Sequence, residues 1–322
     1  MRRIMPRLPT QSGAALLSAM LTVTLVATFS ATALWQQWRN VEVESAERNR
    51  QQTVWLLTGA LDWARLILRE DARSGTVDHL AEPWAIPLQE ARLASFLAMD
   101  ANNSDDVDAP QAFLSGHITD LQSRLNVFNL VAGNQISKPD TLVFGKLFEL
   151  LGLPSTELSM LANNLRLAMD TQSQRAPLLP QRIEQLSWLG LSPQSLRLLY
   201  PYITLLPERT PVNINTASAP VIYASIASFE MSQAQRLVTQ RALSHFRTLA
   251  DSDQAAAALP DQLSVSSRFF EVRGRLRIDQ ALVQERSLVQ RNGMEVKTLW
   301  REREVMRGHV RDLPTSSPAS LQ

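Results

Sequence analysis

Cysteine is absent from this chain of 322 residues, which excludes disulfide staples, thiolate metal sites and thiol catalysis together. An excess of charge of either sign is missing too. With 32 Lys and Arg against 31 Asp and Glu the net charge is +1, so no global field draws a nucleic acid or an anionic surface to the chain. Histidine is scarce: His79, His117, His245 and His309 lie far apart, with no partner at metal-binding spacing. No glycine-rich phosphate loop, nucleophile elbow or paired-carboxylate site occurs, so no catalytic residue is expected and the chain reads as a non-enzyme. What remains is a folded composition. The 45 % hydrophobic content, with 17 Pro and 11 Gly as punctuation, fits a globular protein with room for two modest domains beyond a membrane segment.

Charge is also missing locally, from Leu8 to Trp38. Arg2, Arg3 and Arg7 precede this gap, which places the head in the cytoplasm and the body outside the inner membrane. Ala14 to Leu34 supplies the roughly 20 residues that a spanning helix needs. Its apolar positions are Ala14, Leu16, Leu17, Leu21, Val23, Leu25, Val26, Phe29 and Leu34, interrupted by hydroxyls at Ser18, Thr22, Thr24, Thr28, Ser30 and Thr32. Such a segment suits leaving lipid to pack against other helices. Three histories fit it: a plain anchor, a secretory signal cleaved after Ala31-Thr32-Ala33, or cleavage between Gly13 and Ala14 by a prepilin-type peptidase. Trp35 and Trp38 continue the helix at the outer boundary, as an interfacial aromatic belt does, which argues against the second; the basic head, Gly13 directly before the apolar run and the unbroken helix after it favour the last. Further on, Val54, Leu57, Leu61, Ala64 and Leu68 recur at three- and four-residue spacing and predict an amphipathic contact face. One helix from 14 to 71 is therefore expected, half membrane-embedded and half stem.

The chain resembles the minor pseudopilin K family of type II secretion systems. The likeness is carried by Gln11-Ser12-Gly13-Ala14, Trp63-Ala64, Glu82-Pro83-Trp84-Ala85, the stretch from Ile118-Thr119-Asp120 through Asn126 to Leu130, Pro201-Tyr202-Ile203 and Thr210-Pro211-Val212-Asn213-Ile214-Asn215-Thr216-Ala217. The resemblance implies an α+β fold in which a long N-terminal transmembrane and stem helix meets a pilin-like antiparallel sheet, interrupted by an inserted all-helical domain. It divides the chain into a leader (1–13), the transmembrane and stem helix (14–71), a first pilin-like part (72–139), the helical insert (140–262), a second sheet part (263–305) and a flexible tail (306–322). It implies no enzymatic activity, a single membrane pass with the bulk in the periplasm, a place at the pseudopilus tip, pseudopilins I and J as partners, and prepilin peptidase as processing enzyme. In related subunits the fifth mature residue is Glu. Here, counting from Ala14, it is Ser18, and a subunit with no neighbour above it gains nothing from a buried carboxylate, which costs several kcal/mol without a partner.

Along the body, Ile118, Leu121, Leu125 and Val127 could be strand or short helix by periodicity; the resemblance favours strand. Helical spacing then recurs in Leu142, Phe144, Leu147, Leu150 and Leu151, in Leu158, Leu161, Leu165 and Met169, and in Ile183, Leu186, Leu189 and Leu196 to Tyr200. After Val212 to Ala217, two helices look like a helix-hairpin-helix, with a capping box expected at Ser232 and Gln235. Such units hold DNA, so a membrane-anchored DNA receptor is the alternative function. Their turn grips phosphate through backbone amides and is glycine-rich. The turn Ser225 to Met231 has no Gly and brings Glu230, so no nucleic acid is expected. Phe270, Val272, Leu276 and Ile278 alternate with Arg273, Arg275 and Arg277, and Asn292-Gly293 is a strong hairpin signal.

Calcium is the one chemical candidate. Asp100, Asn102, Ser104, Asp106 and Asp108 alternate as in a calcium loop, but Asp105 replaces the sharp-turn Gly and Gln111 the bidentate Glu, which favours a plain acidic loop. Some members of the resembled family bind calcium through the helical domain. The matching stretch here, Asp170 to Arg175, carries a single acid.

Overall fold

A computed structural model describes residues 12–92, 112–170, 176–252, 262–278 and 281–306. Helix α1 runs from Ser12 to Ser74. It holds no proline, runs unbroken through Gly59, and ends where Gly75 N donates to Asp71 O at 3.1 Å. The chain divides into two compact units, residues 1–56 and 57–322. The first contains only the N-terminal part of α1 among its described residues.

The second unit is built on a five-stranded antiparallel sheet in the order β1-β2-β9-β10-β11. Its strands are β1 Leu88–Arg92, β2 Ala112–Asp120, β9 Phe269–Ile278, β10 Ala281–Asn292 and β11 Glu295–Met306. The expected hairpin is present, with Asn292 paired to Glu295 across Gly293 and Met294. Only Gly293 there has a positive φ, +56°, so the loop follows glycine-first II′ chemistry. The C-terminal part of α1 lies on one face of the sheet. Leu61, Ala64 and Leu68 join Trp84, Phe270, Val272, Val289 and Val296 in one core. Two glycines face each other across β2 and β9, Gly274 beneath the helix and Gly116 against the neighbouring strand's backbone. A Cβ on Gly274 would sit 3.4 Å from Leu57, and one on Gly116 only 2.7 Å from the Arg273 carbonyl oxygen.

The described residues between β2 and β9 form the helical insert: α2 Lys138–Leu150, α3 Ser155–Ala168, a 3-10 segment Ile183–Leu189, α4 Pro193–Leu199, α5 Ala219–Ser225 and α6 Met231–Leu243. Short strand pairs lace it together, β3 Leu125–Asn126 with β6 Ile203–Thr204, β4 Val131–Ala132 with β5 Gln135–Ile136, and β7 Val212–Asn213 with β8 Leu263–Ser264.

Several expectations need adjustment. The segment around Ile118 is neither one strand nor one helix: Ile118 lies in β2, while Leu121–Ser123 and Val127–Leu130 are 3-10 turns flanking β3. Leu125, Val127, Leu130 and Val131 pack in the helical core, so that core starts well before residue 140. On α2 the buried ridge is Phe144, Leu147 and Phe148; Leu142 is 70 % exposed, being on the opposite side of the turn. The cap of helix α6 lies two residues before the predicted one. Glu230 and Gln233 form the capping box, with Glu230 N donating to Gln233 Oε1 at 2.7 Å. Phe229 before the cap and Ala234 after the box are both buried in one core, which places them as a hydrophobic staple and selects this box over Ser232 and Gln235.

Candidate functional site

In the N-terminal unit, Gly13 and Ala14 lie in the first turns of α1 and are exposed. Leu16, Leu17, Leu21, Val23, Leu25, Val26, Phe29 and Leu34 are each at least 51 % exposed. The hydroxyls do not break this apolar surface, because they bond back into their own helix. Ser18 Oγ donates to Ala15 O at 2.9 Å, and Thr22, Thr28 and Thr32 do the same with carbonyls three or four residues back at 2.7–2.8 Å. By length and composition this helix can cross a membrane. Arg39 stacks over Trp35 at 5.7 Å, and Trp38 is exposed beside it on the chain.

In the second unit, the predicted stem face is filled by the chain itself: Leu57, Leu61, Ala64 and Leu68 are buried within this unit, the last three in the core shared with the sheet. Val54 belongs to the N-terminal unit. What α1 leaves open after Leu57 is a different side. Ala60, Trp63 and Ile67 line an apolar groove of about 290 Å³ with Ile86, Leu114 and Ile118, and Leu66 is exposed nearby on the helix.

Where α1 ends, sheet and insert meet in a buried polar joint. Arg291 on β10 sends Nη1 to Asp71 Oδ2 at 2.6 Å and pairs through Nη2 with Asp78. Asp120, at the end of β2, accepts at Oδ2 from Thr216 Oγ1 at 2.5 Å, Ser267 Oγ at 2.6 Å and Asn213 Nδ2 at 3.2 Å. Asn213 also donates to Asp78 O at 3.1 Å. Gln122 N donates to the other Asp120 carboxylate oxygen at 2.7 Å; burial pushes the Asp120 carboxyl up against the four donations it accepts, and pushes Asp78 up to about 6 in spite of Arg291. Glu82 accepts from His79 N at 2.9 Å and Trp84 Nε1 at 2.7 Å; burial nonetheless raises it to about 7. The His79 and His245 rings stack alongside, 3.8 Å apart.

The asparagines of the resemblance motifs are main-chain clamps. Asn126 donates to Glu208 O at 2.7 Å and accepts from Leu206 N at 3.1 Å. Asn215 donates to Phe246 O and accepts from Phe246 N, both at 2.9 Å. Each side chain thus replaces a missing stretch of backbone ladder. Reasoning from sequence missed Asp78, Ser267 and Arg291. A hint was present in Arg291, a charged residue at the hairpin end of an otherwise apolar-periodic strand.

As for metals, Asp71, Asp78 and Glu82 bring carboxylate oxygens within 4.8 Å of one another, but the Arg291 guanidinium already neutralises two of them. The calcium candidates Asp100, Asn102, Asp106 and Asp108 lie outside the described residues, as do 171–175 beyond Asp170. The predicted basic strand face is largely paired: Arg273 with Glu271 at 2.5 Å, Arg277 with Glu90 at 2.6 Å, while Arg275 stays exposed.

Two family models described as type II secretion system, protein K, match residues 123–208 and 212–267. Type II secretion system protein K of Pseudomonas aeruginosa is 26 % identical over 90 % of this chain and 89 % of its own length. Its counterpart in Pectobacterium carotovorum is 26 % identical over 91 % and 96 %. The fold is similar to a chain in the crystal structure of the GspK-GspI-GspJ complex from the type 2 secretion system of enterotoxigenic Escherichia coli. That match has a TM-score of 0.58 and 18 % identity, and covers 80 % of this chain and 98 % of the other. Both family models fall on the insert whose clamps and joint the motifs build, and the two relatives extend the likeness over about nine-tenths of the chain, so in sequence and in fold the chain is similar to type II secretion system protein K.

Proposed function

We propose that this chain is a minor pseudopilin and sits at the tip of the type II secretion pseudopilus, where it supports pseudopilus assembly and the export of folded proteins from the periplasm. Its helix would be inserted in the inner membrane with the body in the periplasm, and prepilin peptidase would cleave between Gly13 and Ala14. Pseudopilins I and J would be its partners, as suggested by the complex in which a chain of similar fold was solved. The observation that carries the reading is the continuous exposed apolar surface from Ala14 to Leu34. A helix of this length and exposure is stable only in lipid or against other apolar helices. Ser18 supports the tip position. Its hydroxyl is satisfied within the helix, so it asks nothing of a neighbouring subunit. The helical insert, held rigidly to the sheet through Asp120 and Asn213, supplies bulk that a stacking subunit would have to displace.

Mass determination of the mature N-terminus, together with co-purification from cells expressing pseudopilins I and J, tests the proposal. A chain beginning at Ala14 and recovered with both partners is expected. A chain beginning after Ala33, or one found repeated along a filament shaft, refutes it.

A further inference from the structure

The turn joining α5 to α6 points its carbonyl groups inward rather than its amides outward. The oxygens of Ile226, Ala227 and Phe229 converge on the ammonium of Lys146, at 2.9, 3.2 and 3.1 Å. Lys146 belongs to α2, some 80 residues earlier in the chain, and its Nζ also lies 4.1 Å from the centroid of the Tyr223 ring. Three carbonyl dipoles and a π face therefore surround one positive charge, and the C-terminal end of α5 adds the negative pole of its helix. A primary ammonium has three N–H bonds, and here each has an acceptor. The spacing is wider than the oxygen shells of magnesium, about 2.0–2.1 Å, or calcium, about 2.3–2.6 Å. It suits a larger, singly charged ion.

We propose that the α5–α6 turn is a binding site for a monovalent cation of ammonium size, and that Lys146 is its resident occupant, supplied in cis from α2. The site fastens the hairpin to α2, where Phe144, Leu147 and Phe148 meet Val221 and Ile222 in the core. It also commits the inner rim of the turn to positive charge. A phosphate-gripping turn of the same outline must present N–H groups; this one presents oxygen. The inference does not depend on the proposed place in the pseudopilus.

Two measurements on the full chain in detergent test it. The chain has three lysines, Lys138, Lys146 and Lys297, of which the first and last are exposed. Reductive methylation of the wild-type protein, read by peptide mass spectrometry, should drive Lys138 and Lys297 to completion and leave Lys146 unmodified. Equal labelling of Lys146 overturns the proposal. In Lys146→Ala the amides of residues 226–231 should exchange about tenfold faster in choline chloride, and methylammonium or potassium chloride at the same ionic strength should restore their protection. Wild-type protection of the variant in choline, or a loss that neither cation repairs, also overturns it. Should the variant fail to fold, the labelling of the wild-type chain decides alone.

Discussion

The guanidinium of Arg291, on β10, lies 2.6 Å from the carboxylate of Asp71, in the last turns of α1. The two residues are 220 positions apart in sequence, and the same guanidinium holds Asp78 and donates to Ser267 O at 3.0 Å. One side chain therefore ties the helix, the sheet and the segment entering β9. The joint is expected to be the least replaceable polar feature of the molecule.

Arg291→Leu should accordingly destabilise the chain by about 3–5 kcal/mol, since it strands Asp71 and Asp78 as uncompensated buried charges. Chemical denaturation of the full chain in detergent measures this. A loss below about 1 kcal/mol would mean the joint is held by Asp120 and Asn213 alone.

Glu82 should make stability fall as the pH rises. Its carboxyl is raised from 4.5 to about 7 by burial, so the folded state binds the proton more tightly than the unfolded chain does. That contribution is complete below the unfolded pKa and is lost as the pH climbs through about 7. Glu82→Gln keeps an acceptor for His79 N and Trp84 Nε1 and removes the titration. Melting curves from pH 4.5 to 7.5 should flatten in the variant, by of order 1–2 kcal/mol after solvent screening. An unchanged slope would assign the pH dependence elsewhere.

The two sides of α1 should separate stability from assembly. Leu61→Ala empties a site in the core against Phe270 and Val289 and should cost about 2–5 kcal/mol. Leu66, 50 % exposed, should tolerate Ala within about 0.5 kcal/mol. Under the proposed function, Leu66→Ala should still weaken co-purification with pseudopilins I and J, which pull-down against the wild type would read.

Gly116→Ala should be harmful although it adds one methyl. The new Cβ would stand 2.7 Å from the Arg273 carbonyl oxygen, which is backbone and cannot swing away. A cost of about 1–3 kcal/mol is expected. A Gly59→Ala control on α1, where nothing lies within 4 Å of an added Cβ, should be neutral or slightly stabilising through helix propensity.

Patterns set by neighbouring residues were legible in the sequence. The charge-free run from Ala14 to Leu34, the spacing of Leu57, Leu61, Ala64 and Leu68, the alternation around Phe270 to Ile278 and the Asn292-Gly293 turn each determine a local structure, because the periods of helix and strand are local properties. The family motifs also identified Asp120, Asn126, Asn213 and Asn215 as special, though not why. Only the tertiary structure decided that the stem ridge is covered by the chain's own sheet, and that Arg291 meets Asp71 and Asp78. It alone decided that Leu125 to Val131 serve the helical core, and that Lys146 fills the α5–α6 turn. Periodicity says which face of an element is apolar but not what covers it. A buried charge reveals its partner only once residues dozens to hundreds of positions apart share a site from which water has gone.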